Sequence, residues 1–272
     1  MPAEPRTRRP PPAFRSVAVT RVESVTPWLR RITIGGAALA GFTADEPAAS
    51  VRLLIPRPGE NELVIPTWRG NEFLLPGGVK PTIRTFTPRA FDPVALELDV
   101  DVVIHGHGPA SDWAAGAILG CPAAVSGPGR GYTVDASASA SASASASGSR
   151  FVIVGDESAI PAIRQVVDAL PVDVSALMLI EVSRPDARTP ISGRAEAPIT
   201  WLDLADDAPP GSQLVDAMKD TPIDAGTRIW AAGEAAAMQR IRRHCFDEIG
   251  VPRAHCTIRG YWKHGRGGDI ET

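Results

Sequence analysis

The chain has 272 residues, enough for one large domain or two of ordinary size, and its 28 basic residues nearly balance 31 acidic ones. The net charge of −3 gives no electrostatic reason to expect nucleic acid or an anionic membrane as partner. No apolar run reaches the roughly 18 residues of a membrane span, and the N-terminus lacks the apolar core of a secretory signal, so we expect a cytoplasmic protein. The three cysteines, Cys121, Cys245 and Cys256, have no C-x-x-C spacing, which indicates neither a disulfide framework nor an iron–sulfur cluster.

The first half of the chain has the pattern of an antiparallel β domain. Residues 1–14 are rich in proline and are predicted to form a disordered tail. Over residues 15–134, short β-branched or alternating runs are separated by Pro, Gly and Asn, which predicts an antiparallel barrel or sandwich. These runs are SVAVTRVESVT, LRRITIGG, SVRLLIPRP, NELVIPTW and ALELDVDVVIH.

The second half alternates strands and helices. An Ala/Ser repeat precedes it and is predicted to be a linker over residues 135–150, because it has no large apolar side chains to bury. Over residues 151–272, apolar strands such as FVIVG and SALMLIEV alternate with helical patterns, of which EAAAMQRIRRHCFDEIG is the clearest. This order predicts an α/β domain whose parallel sheet is covered by helices on both faces.

A glycine-rich turn, VIHGHGPASDWAAG, is the first candidate site. One interpretation is a metal site through His105 and His107, since residues at i and i+2 on a strand share a face. A metal site normally has three or four ligands, however, and no H-E-x-x-H motif or neighbouring acidic residue supplies the others. We therefore expect no metal at this turn.

The same turn has the features of a phosphate cradle. Gly106 and Gly108 let the backbone approach a ligand closely, Pro109 suits a first helical turn, and Ser111 offers a hydroxyl. Amides at the N-terminus of the following helix would attract phosphate. Many strand–turn–helix junctions look alike and bind nothing, so the turn alone does not decide the question.

A second stretch, IRTFTPRAF, places a cation, an aromatic ring and a hydroxyl within four residues. The forked donors of Arg84 can pair with pyrophosphate, and Phe86 can stack on a flat ring beside the hydroxyl of Thr87. Taken alone, the stretch is better explained as an edge strand of mixed composition.

Six stretches in order resemble those of siderophore-interacting proteins, which are flavin-dependent ferric-siderophore reductases related to ferredoxin reductases. They are RTFTPR, DVDVVIHGHGPASDWA, GPGRGY, VGDESAIPAI, IWAAGEAAAMQRIRRH and RGYWKHG. The resemblance extends over about residues 15 to 265 and fails only across the Ala/Ser repeat. It implies a Greek-key β-barrel that binds FAD, followed by an α/β domain of the NAD(P)H-binding type.

The resemblance implies an FAD site at the edge of the barrel. Arg84 would neutralise the pyrophosphate, Phe86 would pack near the flavin and its ribityl chain, and Thr87 would bond to the flavin. Phe86 stands where the family usually has tyrosine, and the missing hydroxyl removes one hydrogen bond, worth about 1 kcal/mol. The residues implied to contact FAD are Arg84, Thr85, Phe86, Thr87, Asp101, Val103, His105, Gly106, Pro109, Ala110 and Ser111.

The resemblance also implies that NADPH or NADH, or else reduced ferredoxin, donates electrons at the second domain. Its first strand ends in GDESAIPA instead of G-x-G-x-x-G, so acidic residues stand where phosphate would approach. These acidic residues are equally well explained as helix caps. The tryptophan of RGYWKHG is equally well explained as a core residue. The residues implied on this side are Asp156, Glu157, Ala232, Gly233, Glu234 and Trp262.

The implied reaction is reduction of a ferric siderophore, which releases the iron because ferrous iron binds hard oxygen ligands more weakly. Positive charge beside the flavin would hold an anionic chelate, and the candidates are Arg52, Arg130, Arg259 and Lys263. Electron transfer demands no general acid or base, so no catalytic triad is predicted. Two alternatives stay open: an NAD(P)H:flavin oxidoreductase with another acceptor, and a ferric-siderophore-binding protein without reductase activity.

Overall fold

A computed structural model describes residues 11–106, 108–134, 150–191, 193, 197–224 and 226–265. The chain divides into two compact units, Met1–Ala44 with Ser50–Arg130, and Asp45–Ala49 with Gly131–Thr272. The second unit therefore includes a short segment from the first half of the sequence, which no sequence pattern indicated. Most of the predicted tail and of the Ala/Ser linker lies outside the described residues. No helix in the described ranges is long and apolar enough to cross a membrane.

The first unit is built from antiparallel strands. Seven strands form one sheet and two more form a separate ribbon. The elements are β1 (Arg15–Thr26), β2 (Leu29–Gly35), β3 (Val51–Ile55), β4 (Thr67–Arg69), β5 (Glu72–Leu74), β6 (Thr82–Phe86), β7 (Pro88–Asp92), β8 (Glu97–Val103), α1 (Pro109–Gly116) and β9 (Pro122–Ser126). The hydrogen-bonded order of the large sheet is β6-β3-β9-β1-β2-β8-β7, and β4 pairs with β5.

The path of the chain curls this sheet into a barrel. β6 and β7 lie at opposite ends of the hydrogen-bonded order, yet Thr87 alone separates the last residue of β6 from the first residue of β7. Because two peptide steps span at most about 7 Å, the two ends of the sheet must come close together. Alternate residues of β8 are buried, and Ile32, Leu53 and Val100 are among the side chains that fill the interior. The predicted antiparallel β-barrel is confirmed.

The second unit is a parallel five-stranded sheet with helices, as predicted. The hydrogen-bonded order of the strands is β12-β11-β10-β13-β14, and every pairing is parallel. The strands are β10 (Arg150–Asp156), β11 (Ser175–Val182), β12 (Ile199–Asp203), β13 (Arg228–Glu234) and β14 (Cys256–Trp262). The helices are α2 (Ile160–Ala169), α3 (Ser212–Asp220) and α4 (Ala235–Arg243).

Helices cover both faces of this sheet. On β10, Phe151 and Ile153 pack in one apolar cluster with residues of α2, while Val152 and Val154 pack in another with residues of α3 and α4. Since successive strand residues point to opposite faces, a strand that is buried on both sides must be apolar throughout. This explains the uninterrupted run that the sequence shows here.

The strand order defines where a ligand would bind on the second unit. From β10 the chain adds β11 and β12 on one side, and then returns to add β13 and β14 on the other. In open α/β sheets, ligands bind outside the carboxyl ends of the strands at the point where the order reverses. Here that point lies between β10 and β13, which end at Asp156 and Glu234.

Candidate functional site

The strand register relates the two candidate stretches of the first unit. β7 and β8 are antiparallel, and Pro88, the first residue of β7, pairs with Val100 of β8. Because the two strands are antiparallel, the residues that precede Pro88 lie toward the end of β8, where Val103 is. The register therefore directs the end of β6 toward the edge at which the glycine-rich turn leaves β8.

The glycine-rich turn leads into α1 with an open backbone. Gly106 and Gly108 have φ angles of 80° and 94°, in the region that favours glycine, and a Cβ on Gly106 would meet nothing within 4 Å. No side chain caps the first turn of α1, and Pro109 has no N–H that needs a partner. This is the backbone geometry that a phosphate cradle needs.

The metal interpretation of the turn depends in part on His107, which lies outside the described residues. His105 is exposed. Within the described ranges, no group of three or more His, Cys, Asp or Glu side chains is placed to hold a metal ion.

The side chain of Ser111 links the start of the turn to helix α1. Its hydroxyl accepts a hydrogen bond of 3.1 Å from the backbone N–H of His105, and the residue is only 2% exposed. The bond ties the start of the turn to the first turn of α1, on which Ala110 is half-buried. Ser111 therefore has a structural role here, and its contact with phosphate stays a prediction.

The predicted flavin-side residues lie at the end of β6. Arg84 is half-buried and donates a hydrogen bond of 2.6 Å to the carbonyl of Ile83. Thr85 is exposed, Phe86 packs half-buried against the barrel core, and Thr87 is 7% exposed in the connection to β7. The short β6–β7 connection thus brings an aromatic ring and a hydroxyl to the edge that the glycine-rich turn occupies.

Asp101 and Val103 lie on β8, which leads into the turn. Asp101 accepts two hydrogen bonds from the guanidinium of Arg31 on β2, at 2.8 and 3.1 Å, in a two-pronged ion pair between directly paired residues. The side chains of Arg31 and Asp101 are both mostly shielded from water. The pair therefore stabilises the contact between β2 and β8 more than an exposed ion pair would. Contact of Asp101 with the cofactor stays a prediction.

Asp156 organises the ligand-binding edge of the second unit. Its Oδ1 accepts hydrogen bonds from the N–H and hydroxyl of Ser158, at 3.0 and 2.6 Å. Its Oδ2 accepts from the N–H of Glu234 and from the indole Nε1 of Trp262, both at 2.8 Å. One buried carboxylate thereby joins the carboxyl ends of β10, β13 and β14. The helix cap was foreseen from the sequence, but the other two bonds were not.

The pKa of Asp156 gives a testable pH dependence. Burial raises this pKa above its usual range, although hydrogen bonds from Ser158, Trp262 and Glu234 oppose the shift. The folded protein thus holds the proton more tightly than the unfolded chain, whose aspartate pKa is about 3.9. The resulting stabilisation is complete below about pH 4 and is lost as the pH rises through the folded pKa.

Asp156→Asn has no such titration, so between about pH 4 and pH 7 the unfolding free energy should fall more in the wild type than in the variant. Urea denaturation of both proteins across this range measures the difference. Parallel pH profiles would contradict the expectation.

Glycines make room for this arrangement. A Cβ on Gly233 would lie 2.6 Å from Oδ2 of Asp156, and a Cβ on Gly155 would lie 2.7 Å from the Cβ of Ala159 and 2.9 Å from the carbonyl oxygen of Ala232. Close packing of neighbouring backbone therefore explains, at least in part, why the stretches VGDES and WAAGE contain small residues. Ala232 itself is fully buried.

Glu181 is a buried carboxylate that sequence reasoning missed. It lies on β11 directly beside Asp156, and it accepts hydrogen bonds from the N–H groups of Gly211 and Gln213 at 2.6 and 3.0 Å. Burial raises its pKa, despite these hydrogen bonds. A glutamate inside the apolar run SALMLIEV was the available signal, because a buried charge needs a partner.

Two further carboxylates accept hydrogen bonds at this edge. Glu234 accepts hydrogen bonds from the N–H groups of Ala237, at 2.9 Å, and His264, at 3.2 Å. Glu157 accepts from the hydroxyl of Ser183 at 2.7 Å. Asp156 thus binds an N–H of the short 3-10 turn that leads into α2, while Glu181 and Glu234 bind N–H groups at the starts of α3 and α4. These N–H groups are not available to a pyrophosphate group.

The four basic residues proposed to hold an anionic substrate are divided between the units. Arg52 is half-buried on β3 and Arg130 is exposed, both in the first unit. In the second unit, Arg259 donates a hydrogen bond of 2.8 Å to the carbonyl of Gly131, and Lys263 is exposed. Their role in substrate binding stays a prediction.

A β-barrel followed by a doubly covered parallel sheet is a ferredoxin-reductase-like fold. A ferredoxin–NADP⁺ reductase from Neisseria gonorrhoeae, solved with FAD and NADP, has this fold: it covers 92% of this chain and 99% of its own, with a TM-score of 0.58 and 15% identity. At that identity the likeness shows the fold alone.

The chain belongs to the siderophore-interacting protein family. The family's FAD-binding domain matches residues 18–132, and its siderophore-interacting protein domain matches residues 148–265. A siderophore utilization protein from T. fusca shares 32% identity and a TM-score of 0.79, over 95% of this chain and 96% of its own.

Two relatives have names that describe an activity. The NADPH-dependent ferric-chelate reductase of Escherichia coli is 31% identical, over 92% of each chain. The ferric vibriobactin reductase ViuB of Vibrio cholerae is 27% identical, over 93% of this chain and 90% of its own.

Proposed function

We propose that this protein is a cytoplasmic, FAD-dependent reductase of ferric siderophores that draws its electrons from NAD(P)H. The observation that carries the proposal is the strand register that directs the end of β6 toward the edge of the barrel where Gly106 and Gly108 lead into the uncapped start of α1. The activities named for the relatives from E. coli and V. cholerae support it.

The residues at this edge fit FAD. The open backbone at Gly106 and the uncapped start of α1 suit the pyrophosphate, and Arg84 would supply forked donors to it. Phe86 offers a flat, half-buried surface to the flavin region, and Thr87 offers a hydroxyl. The ion pair between Arg31 and Asp101 would hold β8, and with it the turn, in position.

When bound, FAD supplies the ability to take up two electrons as a hydride and to pass them on singly. The task of the protein is to hold the ring at an open face and to attract the anionic iron chelate. Arg52, Arg130, Arg259 and Lys263 would provide that positive charge. Reduction of the iron then weakens its binding to hard oxygen ligands, which releases it.

The capped helix starts of the second unit favour a second candidate. Because Asp156, Glu181 and Glu234 occupy the positions where a dinucleotide-binding domain exposes N–H groups, NAD(P)H would have to bind there without a pyrophosphate cradle. Reduced ferredoxin as donor, or siderophore binding without reduction by NAD(P)H, would need no such cradle.

The visible absorption spectrum of the purified protein tests these proposals. Flavin bands that bleach on anaerobic addition of NADPH or NADH would support the reductase with a nicotinamide donor. Bands that persist with both nucleotides but bleach with reduced ferredoxin would identify ferredoxin as the donor. Absence of flavin bands after incubation with FAD would overturn the FAD proposal.

The acceptor is tested separately by turnover. The reduced protein is mixed with ferric siderophores in the presence of a ferrous-specific chelator, and with a quinone in a parallel assay. Rapid formation of the ferrous complex with slow quinone reduction supports the proposed substrate. The reverse preference would make the protein a flavin oxidoreductase with another acceptor.

Phe86→Tyr should strengthen FAD binding. The added hydroxyl restores the hydrogen bond that tyrosine makes in the family, worth about 1 kcal/mol, so we expect the dissociation constant for FAD to fall about fivefold. Fluorescence titration of the apoprotein with FAD measures it. Unchanged or weaker binding would show that position 86 contributes through its ring alone.

A further inference from the structure

A tryptophan lies at the tip of the hairpin that joins β1 to β2. Thr26 of β1 pairs with Leu29 of β2, so Pro27 and Trp28 form the turn between the two strands. The backbone N–H of Trp28 donates a hydrogen bond of 3.2 Å to the hydroxyl of Thr26, and the residue is half-buried. None of the six family-like stretches of the sequence contains Trp28.

This hairpin tip is bonded to the start of the glycine-rich turn. The N–H of Ile104 donates a hydrogen bond of 2.7 Å to the carbonyl oxygen of Trp28. The bond continues the ladder in which Leu29 pairs with Val103, the last residue of β8. Because Ile104 precedes Gly106 by two residues, Trp28 lies beside the point where the backbone leaves β8 for the turn.

Trp28 and Phe86 approach this edge from opposite sides of β8. In the large sheet, β8 lies between β2 and β7. Trp28 precedes β2, whereas Phe86 is separated from β7 by Thr87 alone. The register directs the end of β6 toward the edge at which β8 ends. The glycine-rich turn therefore leaves the sheet with one aromatic residue on its β2 side and another on its β7 side.

The shape of FAD matches this order of groups. FAD carries two flat ring systems, flavin and adenine, on either side of a central pyrophosphate. With the pyrophosphate at the turn and the flavin near Phe86, the adenine falls on the β2 side. We propose that Trp28 stacks on the adenine ring of FAD, an inference that rests on the proposed FAD site.

The other aromatic side chains of the first unit are committed elsewhere. Apart from Phe86, its remaining phenylalanine and tryptophan residues contact one another at the β4–β5 ribbon or pack in the barrel core: Phe14, Phe42, Trp68, Phe73, Phe91 and Trp113. Trp28 is thus the tryptophan that the fold places beside the turn.

A stack on adenine contributes only to the binding of ligands that carry adenine. FAD and ADP have this ring, whereas FMN ends at a single phosphate and lacks it. Trp28 should therefore help the protein to discriminate FAD from FMN. A residue that merely held the turn in place would affect both flavins alike.

Isothermal titration calorimetry of the full-length apoprotein with FAD, FMN and ADP tests the proposal. We expect Trp28→Ala to raise the dissociation constants for FAD and ADP by about 5- to 150-fold, through the loss of one base–aromatic stack. The dissociation constant for FMN should stay unchanged, because the bond from Ile104 uses the backbone carbonyl of residue 28. Trp28→Phe keeps a flat ring and should restore most of the affinity for FAD.

Trp68→Ala is the matched control, since Trp68 is also half-buried but lies on β4, outside the large sheet. This variant should bind FAD, FMN and ADP as the wild type does. Equal FAD affinities of the wild type and Trp28→Ala would overturn the adenine assignment and leave the FAD site in place. Equal weakening of FAD and FMN would also overturn it. A wild type that binds neither flavin would overturn the proposed function, and the adenine assignment with it.

Discussion

Asp156→Ala is expected to lower the free energy of unfolding of the second unit by about 3 to 5 kcal/mol. The substitution removes the acceptor for the N–H groups of Ser158 and Glu234 and for the indole N–H of Trp262. Each buried donor left without a partner costs about 1–3 kcal/mol. Urea denaturation followed by tryptophan fluorescence and circular dichroism measures the change.

Asp216→Ala is the matched control, because Asp216 is an exposed aspartate on α3. This variant should stay within about 0.5 kcal/mol of the wild type. A loss at Asp156 no larger than at Asp216 would mean that the carboxylate does not hold the three strand ends together.

Arg84→Ala is expected to weaken FAD binding by about 10- to 100-fold. A hydrogen bond to a charged group contributes about 1.5–3 kcal/mol, and each 1.4 kcal/mol corresponds to a tenfold change in the dissociation constant. Titration of the apoproteins with FAD measures the effect. The far-ultraviolet circular dichroism of the variant should match the wild type, because the Arg84 side chain is only half-buried.

Two further arginine variants make this result specific. Arg69 is exposed on β4, outside the large sheet, so Arg69→Ala should leave FAD affinity unchanged. Arg84→Lys keeps the charge but loses the planar fork, and it should bind with intermediate affinity. Equal affinities for the wild type and Arg84→Ala would remove Arg84 from the pyrophosphate site.

The types of most elements could be read from local patterns. Alternation in ALELDVDVVIH matches the alternate burial of β8, and the uninterrupted apolar run FVIVG matches a strand covered on both faces. The phosphate-cradle interpretation of the turn was also local, because glycine at 106 and 108 provides for positive φ whatever surrounds it. Patterns of this kind reflect only backbone geometry and which side of an element is buried.

Contacts between distant segments could not be read in the same way. The sequence indicated Asp156 as a cap or as a ligand contact, but its hydrogen bond from Trp262 depends on where β14 places that side chain. Glu181 was missed because its partners at the start of α3 lie about 30 positions further along the chain.

The sequence by itself determined the order of a β domain and an α/β domain, the helix and strand periodicities, and the motifs that resemble the siderophore-interacting family. Only the tertiary structure decided which strands pair, that the end of β6 runs toward the edge where β8 ends, and which carboxylates are buried. The physical reason is the range of the interactions. Periodicity and turn geometry depend on neighbours a few residues away, whereas strand register and buried hydrogen bonds depend on groups brought together by folding of the whole unit.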